Sequence, residues 1–145
     1  MSISDAIALV AIVISLVSLL LQKSDINKQL LVSNFSEYTR RYQELIEKIP
    51  SNVLDQDFDL FSLSSNDREI ILRYMLIYFD LCYEEYFLYR EGLIPKRLWK
   101  AWEEGINVSL SRPAFRQSWM IINSQASYSN ALGFVDFIGT VLKKR

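Results

Sequence analysis

Residues Ala6 to Leu21 read AIALVAIVISLVSLLL, an apolar run interrupted only by Ser15 and Ser18. No charged residue stands between Asp5 and Lys23, and the stretch able to cross a bilayer is about twenty residues, from Ile3 to Gln22. At a rise of about 1.5 Å per residue, a helix of that length matches the ~30 Å hydrocarbon core. The run carries eleven Ile, Leu or Val side chains. Each contributes roughly −0.3 to −0.6 kcal/mol to insertion near a helix centre, and two serines do not offset that. A cleaved secretory signal needs a basic leading segment and a small-x-small cleavage site. Here MSISD has no Lys or Arg, and LLLQKSD offers no such site. A buried core helix is the competing structural reading, but this run is apolar on every face and sits at the end of a small chain. The expectation is a retained transmembrane anchor over residues 1–23.

The flanks set its orientation. Lys23, Lys28, Arg40 and Arg41 follow the run, whereas only Asp5 and the chain amine precede it. An excess of cations on the cytoplasmic side orients such helices. The N-terminus is therefore expected outside a bacterial inner membrane, with residues 24–145 as a cytoplasmic helical-bundle domain.

Composition narrows what that domain does. Half of the 145 residues are hydrophobic and 13 per cent are aromatic, which argues for a packed core rather than disorder. A formal net charge of −1 provides no field for nucleic acid. With one cysteine, Cys82, the chain builds no internal disulfide framework and no thiolate metal site. The absence of histidine is more decisive. It removes Ser-His and Cys-His nucleophile pairs, His-containing zinc sites and the Glu-x-x-His di-iron pattern. The four glycines form no phosphate-cradling loop. Neither cofactor nor metal is expected.

Beyond the run, Leu31, Phe35, Tyr38, Tyr42, Leu45, Ile46 and Ile49 recur mostly every three or four residues. They predict an amphipathic helix from Ser24 to Ile49, ended by Pro50 and continuous with the anchor. Residues 50–65 read as a loop, with Phe58, Leu60 and Phe61 tucked against the bundle. Asn66 and Glu69 have the spacing of a capping box, opening a second helix that ends at Gly92. Its richest apolar side holds Ile70, Ile71, Tyr74, Met75, Tyr78, Leu81, Cys82 and Tyr89. Pro95 starts a third helix, with Leu98, Trp99, Trp102, Ile106 and Leu110 on one face. Ser111 is placed to cap a fourth, with Pro113 in its first turn and Phe115, Trp119 and Ile122 inward. After the polar break SQASYSN, a last helix carries Leu132, Val135, Phe137, Ile138 and Leu142. Lys143, Lys144 and Arg145 close it, where cations suit the helix dipole. No strand-like alternation stands out. The fold class is all-α.

Three constellations invite a functional reading. Ser4, Ala8, Ala11, Ser15, Ser18 and Gln22 recur at spacings of four and three, a stripe of small or polar side chains along the membrane helix. Small residues let helix backbones approach, so the stripe suits a self-association seam, and in a ring of subunits it suits a narrow pore. Chance placement of common membrane residues is the plain alternative. Glu85 lies among Leu81, Cys82 and Tyr89, where a lone carboxylate is costly. Arg112 and Arg116, on one side of the fourth helix, are the expected partners in a buried structural ion pair. Asp55, Asp57 and Asp59 begin like a calcium loop, but Leu60 and Asn66 stand where Gly and Glu are required, so a solvated acidic loop is the better reading. Tyr83, Tyr86, Trp99, Trp102 and Trp119 offer stacking faces for bases. At helical spacing and without a basic surround, they read as core.

The segment Leu88-Tyr89-Arg90-Glu91-Gly92-Leu93-Ile94, followed by Trp99 and Trp102 and by Arg112 to Phe115, resembles an element of small bacterial membrane-anchored proteins of unknown function. The resemblance spans most of the chain and implies one N-terminal span, a helical cytoplasmic domain and no activity. The chain is also similar to small membrane proteins that accompany RNA-guided bacterial defence systems, some of which resemble higher eukaryote and prokaryote nucleotide-binding domains. The RNase signature of those domains pairs arginine with histidine, and no histidine exists here. That relationship would imply an inactive nuclease.

The expectation is thus a non-enzymatic single-pass membrane protein whose helical domain self-associates, as a homo-oligomer, or binds a protein partner. The alternative is an oligomeric membrane effector or pore that perturbs the bilayer, as in a bacterial defence system.

Overall fold

The computed structural model describes residues 3–125, 128 and 133–144. Five α-helices and two short 3-10 turns account for the regular structure, and no strand occurs among the described residues. The helices are α1 (Ile3–Lys48), α2 (Ser65–Arg90), α3 (Lys96–Leu110), α4 (Pro113–Gln125) and α5 (Phe134–Lys143). The chain divides into two compact units, Met1–Glu37 and Tyr38–Arg145.

The first unit is helical throughout its described part. An 18-residue window of α1 reaches a mean hydropathy of 2.2 with none of it buried, and the helix is long and apolar enough to span a membrane. Ile7, Ile12, Leu20 and Leu21 are all more than 60 per cent exposed. The apolar run ends at Gln22, whereas the second unit begins at Tyr38. Between them Ile26, Leu30, Val32 and Phe35 are also exposed.

In the second unit, the end of α1 contributes Leu45 and Ile49, both buried, before Pro50 removes the donor that would continue the helix. The following segment is a loop tightened by 3-10 turns at Ser51–Leu54 and Leu60–Ser62. Val53, Phe58 and Leu60 are buried, while Phe61 turns outward. Arg68 ties this loop down by donating to the carbonyls of Leu60, Phe61 and Leu63.

Helix α2 is the central element, packed against α3 and α4. Its cap lies two residues earlier than the Asn66–Glu69 spacing suggested. Ser64 Oγ accepts from the Asp67 N–H at 3.1 Å and donates to the Asp67 carboxylate at 2.7 Å. Helix α2 begins at Ser65, so Asn66 already lies inside the first turn and Ser64 stands at the cap. The other end follows expectation. Gly92 has φ of 69°, its N–H donates to the Tyr89 carbonyl, and Leu93 N–H reaches back to Leu88. Those paired bonds satisfy the last carbonyls through a left-handed residue.

Pro95 caps α3, and Pro113 opens α4. Ser111 does not cap α4; it ends α3, where its hydroxyl donates to the Val108 carbonyl. The core joins α2, α3, α4 and α5 through aromatic contacts. Tyr78 meets Phe115 edge-on at 4.8 Å, and Phe79 lies 4.8 Å from Trp119. Phe134, at the start of α5, is fully buried beside Tyr83, Tyr86 and Trp119. Ile138 and Val141 complete the buried side of α5. Leu132, Arg145 and most of the SQASYSN break lie outside the described residues.

Candidate functional site

Three helices of the second unit leave an open-sided cavity of about 180 Å³ between them. The end of α1 supplies Tyr38, Thr39 and Tyr42. Helix α2 supplies Tyr78, Leu81, Cys82 and Glu85, one side of a helix at spacings of three, one and three. Helix α3 contributes Ala101, Trp102, Gly105 and Ile106. Ala101 and Gly105 lie one turn apart, and a Cβ placed on Gly105 would meet nothing within 4 Å. The smallest side chains of α3 therefore stand where the cavity is. Trp102 is half-buried rather than sealed in the core, with its ring 5.1 Å from that of Tyr38.

Glu85 is the only carboxylate on this wall. It is 7 per cent exposed, and among the described residues no hydrogen bond or ion pair reaches it. Burial pushes its pKa up to about 8, against a smaller pull downward from the Arg41 charge, with neighbouring Glu84 adding a further push upward. A carboxyl group so placed holds its proton at neutral pH. Burial also pushes the Cys82 thiol and the Tyr78 hydroxyl up. The wall is therefore uncharged at pH 7 and becomes anionic only when Glu85 ionises.

The expected ion pair of Glu85 with Arg112 or Arg116 is not formed. Arg116 instead donates to the carbonyls of Leu110 and Ser111, at the end of α3. The last carbonyls of a helix lack intrahelical partners, and a guanidinium nearby satisfies them. The arginine that does approach is Arg41, and it pairs with Glu84. Its two terminal nitrogens donate to the two Glu84 oxygens at 2.6 and 3.1 Å, and Tyr38 Oη donates to the same carboxylate at 3.3 Å. The Arg41 bonds hold Glu84 below the usual carboxylate range. Burial first, and then the Glu84 charge, push the Tyr38 hydroxyl up to about 12. Two adjacent glutamates thus have opposite fates. Nothing in the local pattern around Arg41 distinguishes it as that partner.

The stripe residues Ser4, Ala8, Ala11, Ser15, Ser18 and Gln22 all lie on α1 and are exposed. Ser15 Oγ donates to the Ala11 carbonyl one turn back at 2.8 Å, which satisfies a hydroxyl inside an apolar helix. Of the proposed stacking set, Tyr86, Trp99 and Trp119 are buried core. A second, larger depression runs along α3 between Tyr89 and Phe137, edged by Lys96, Arg97 and Lys100 and by Glu103.

Comparison with family models, curated proteins and solved structures gives no match. What the chain itself displays is an all-helical architecture with one long apolar N-terminal helix.

Proposed function

We propose that this chain is a non-enzymatic, single-pass membrane protein that acts through association. In this reading α1 crosses a bacterial inner membrane with its N-terminus outside. The helical unit lies in the cytoplasm, where it self-associates or binds a protein partner. The observation that carries the reading is the wholly unburied apolar window of α1. Its exposed side chains form a contiguous patch far beyond what a water-soluble surface tolerates, and lipid is the environment that accepts them. The missing histidine removes the histidine-dependent nucleophile pairs and proton shuttles.

Self-association is tested on the stripe. Ala11→Leu should push helix backbones apart while leaving insertion intact, because membrane helix contacts depend on close packing. Leu9→Ile, on another face, is the control. Fewer crosslinked oligomers for Ala11→Leu alone supports the seam, and equal crosslinking of both variants in the isolated membrane segment, with the helical domain deleted, refutes it. The same stripe favours a second reading, in which a ring of these helices conducts ions. Purified protein that leaves ion gradients intact in liposomes would reject that reading and keep the first.

A further inference from the structure

We propose that the cavity between the end of α1, α2 and α3 binds a small alkylated ammonium ion, held by Glu85 against the faces of Tyr38, Tyr42 and Trp102. The inference is independent of how the chain associates in the membrane, because every group it uses belongs to one compact unit.

Four observations converge on a cation of this kind. The cavity is comparable to the roughly 150 Å³ interior space that admits a benzene-sized guest. A tetraalkyl ammonium headgroup is of that order. Four of the cavity's eleven lining residues are aromatic, Tyr38, Tyr42, Tyr78 and Trp102, and aromatic faces attract cations through their quadrupoles. Glu85 is 7 per cent exposed and has no protein hydrogen-bond partner among the described residues, and its side chain lines the open pocket, where ionising a largely buried carboxyl is costly unless a cation meets it. The space itself is kept open by Ala101 and Gly105. Glycine in a helix interior costs about 1 kcal/mol relative to alanine, and no neighbour crowds this position. Arg41, whose charge acts on Glu85, is paired bidentately with Glu84, so Arg41, Glu84 and ionised Glu85 together carry a net negative charge.

Binding has a proton signature. The empty site holds a protonated Glu85 at neutral pH, and the ammonium ion is matched by its carboxylate. Taking up the cation therefore releases the Glu85 proton to solvent. The groups facing Glu85 do not blur this response. From α1 these are Tyr38, Arg41 and Tyr42, from α2 Tyr78, Cys82 and Glu84, and α3 presents no titratable side chain to the cavity. A quaternary ion, which has no proton of its own, isolates the effect.

The experiment uses the full chain in a maltoside detergent, free of choline headgroups. Tetramethylammonium is the probe, and binding is followed by calorimetry and tryptophan fluorescence. The expected result is saturable binding that releases about one proton per ion at pH 7 and tightens as pH rises toward 8. Glu85→Gln should weaken it roughly ten- to a hundredfold and abolish the proton release. Gly105→Leu, which puts a branched side chain where a Cβ has open space, should abolish binding, with thermal unfolding showing that the variant is folded. The neutral isostere 3,3-dimethyl-1-butanol should show no dependence on Glu85. Displacement of the probe by phosphatidylcholine vesicles assigns the physiological source to a lipid headgroup, and the absence of displacement assigns it to a dissolved amine. Failure of the wild-type chain to bind tetramethylammonium, or equal affinity in folded Glu85→Gln, overturns the proposal without touching the membrane reading.

Discussion

Glu84 and Glu85 are adjacent in sequence, yet about 100° of helix rotation separates the directions in which they leave α2. Glu84 reaches Arg41 and is held ionised, while Glu85 is turned toward the cavity and kept protonated. The pH dependence of stability follows from the second. The folded-state pKa of about 8 stands above the ordinary value of 4.5, so the folded state holds this proton more tightly than the unfolded chain. Stability is therefore greatest below pH 4.5 as far as Glu85 is concerned, and it declines as pH rises from there to 8. The slope is at most about 1.4 kcal/mol per pH unit, because one proton is involved. Denaturant unfolding of the wild type between pH 5 and 8 should show this decline, and Glu85→Gln should flatten it. Ser118 makes a second point at the same scale. Its hydroxyl is fully buried on α4 and has no hydrogen-bond partner among the described residues. Ser118→Ala removes an unsatisfied polar atom with almost no change in shape. It should raise stability by about 1 kcal/mol, read as an upward shift in unfolding midpoint with unchanged denaturant dependence.

At the scale of elements, local signals fared unevenly for physical reasons. Pro50, Gly92, Pro95 and Pro113 act on their own backbone and stand where expected. Cap assignments fared worse, because hydroxyl partners depend on final geometry: Ser64, two residues before Asn66, caps α2, and Ser111 bonds back to the end of α3. Two glycines make a contrasting test. Gly92 ends α2 with φ of 69°, a conformation that costs an L side chain about 1–2 kcal/mol, so Gly92→Ala should destabilise by roughly that amount. Gly105 is helical with open space around its Cα, and Gly105→Ala should stabilise by about 0.5–1 kcal/mol. Thermal unfolding of the two variants should move in opposite directions. A matched decrease would mean that Gly105 serves packing rather than space.

For the whole molecule, the governing asymmetry is between a unit that buries its apolar side chains and a helix that leaves them exposed. Val13→Arg places a charge near the middle of the apolar run. If lipid is the partner of that run, the substitution costs roughly 2.5–3.5 kcal/mol of insertion and moves protein from the membrane to the soluble or degraded fraction. Unchanged membrane fractionation would remove the basis for an anchor. Orientation is read separately with C-terminal reporters. Activity of a cytoplasmic reporter is the expected outcome, and activity of a periplasmic reporter alone would invert the topology.

What the sequence determined by itself was the all-α class, the long N-terminal helix and the main helix ends at Pro50 and Gly92. Run length, 3.6-residue periodicity and the backbone limits of proline and glycine are properties of neighbouring residues, so they survive whatever the chain does globally. The sequence also singled out Glu85 as an anomaly, because a carboxylate amid apolar neighbours is visible locally. Its surroundings were not visible. Arg41 lies 43 residues from Glu84, and only the packing of α1 against α2 decides that it takes Glu84 and leaves Glu85 unpaired. The cavity is likewise tertiary: Tyr38, Glu85 and Gly105 come from three helices, and an empty space between them has no signature in any one. Local steric rules fix where helices begin and end, whereas which side chains meet, and where they fail to meet, follows from how three faces close on one another.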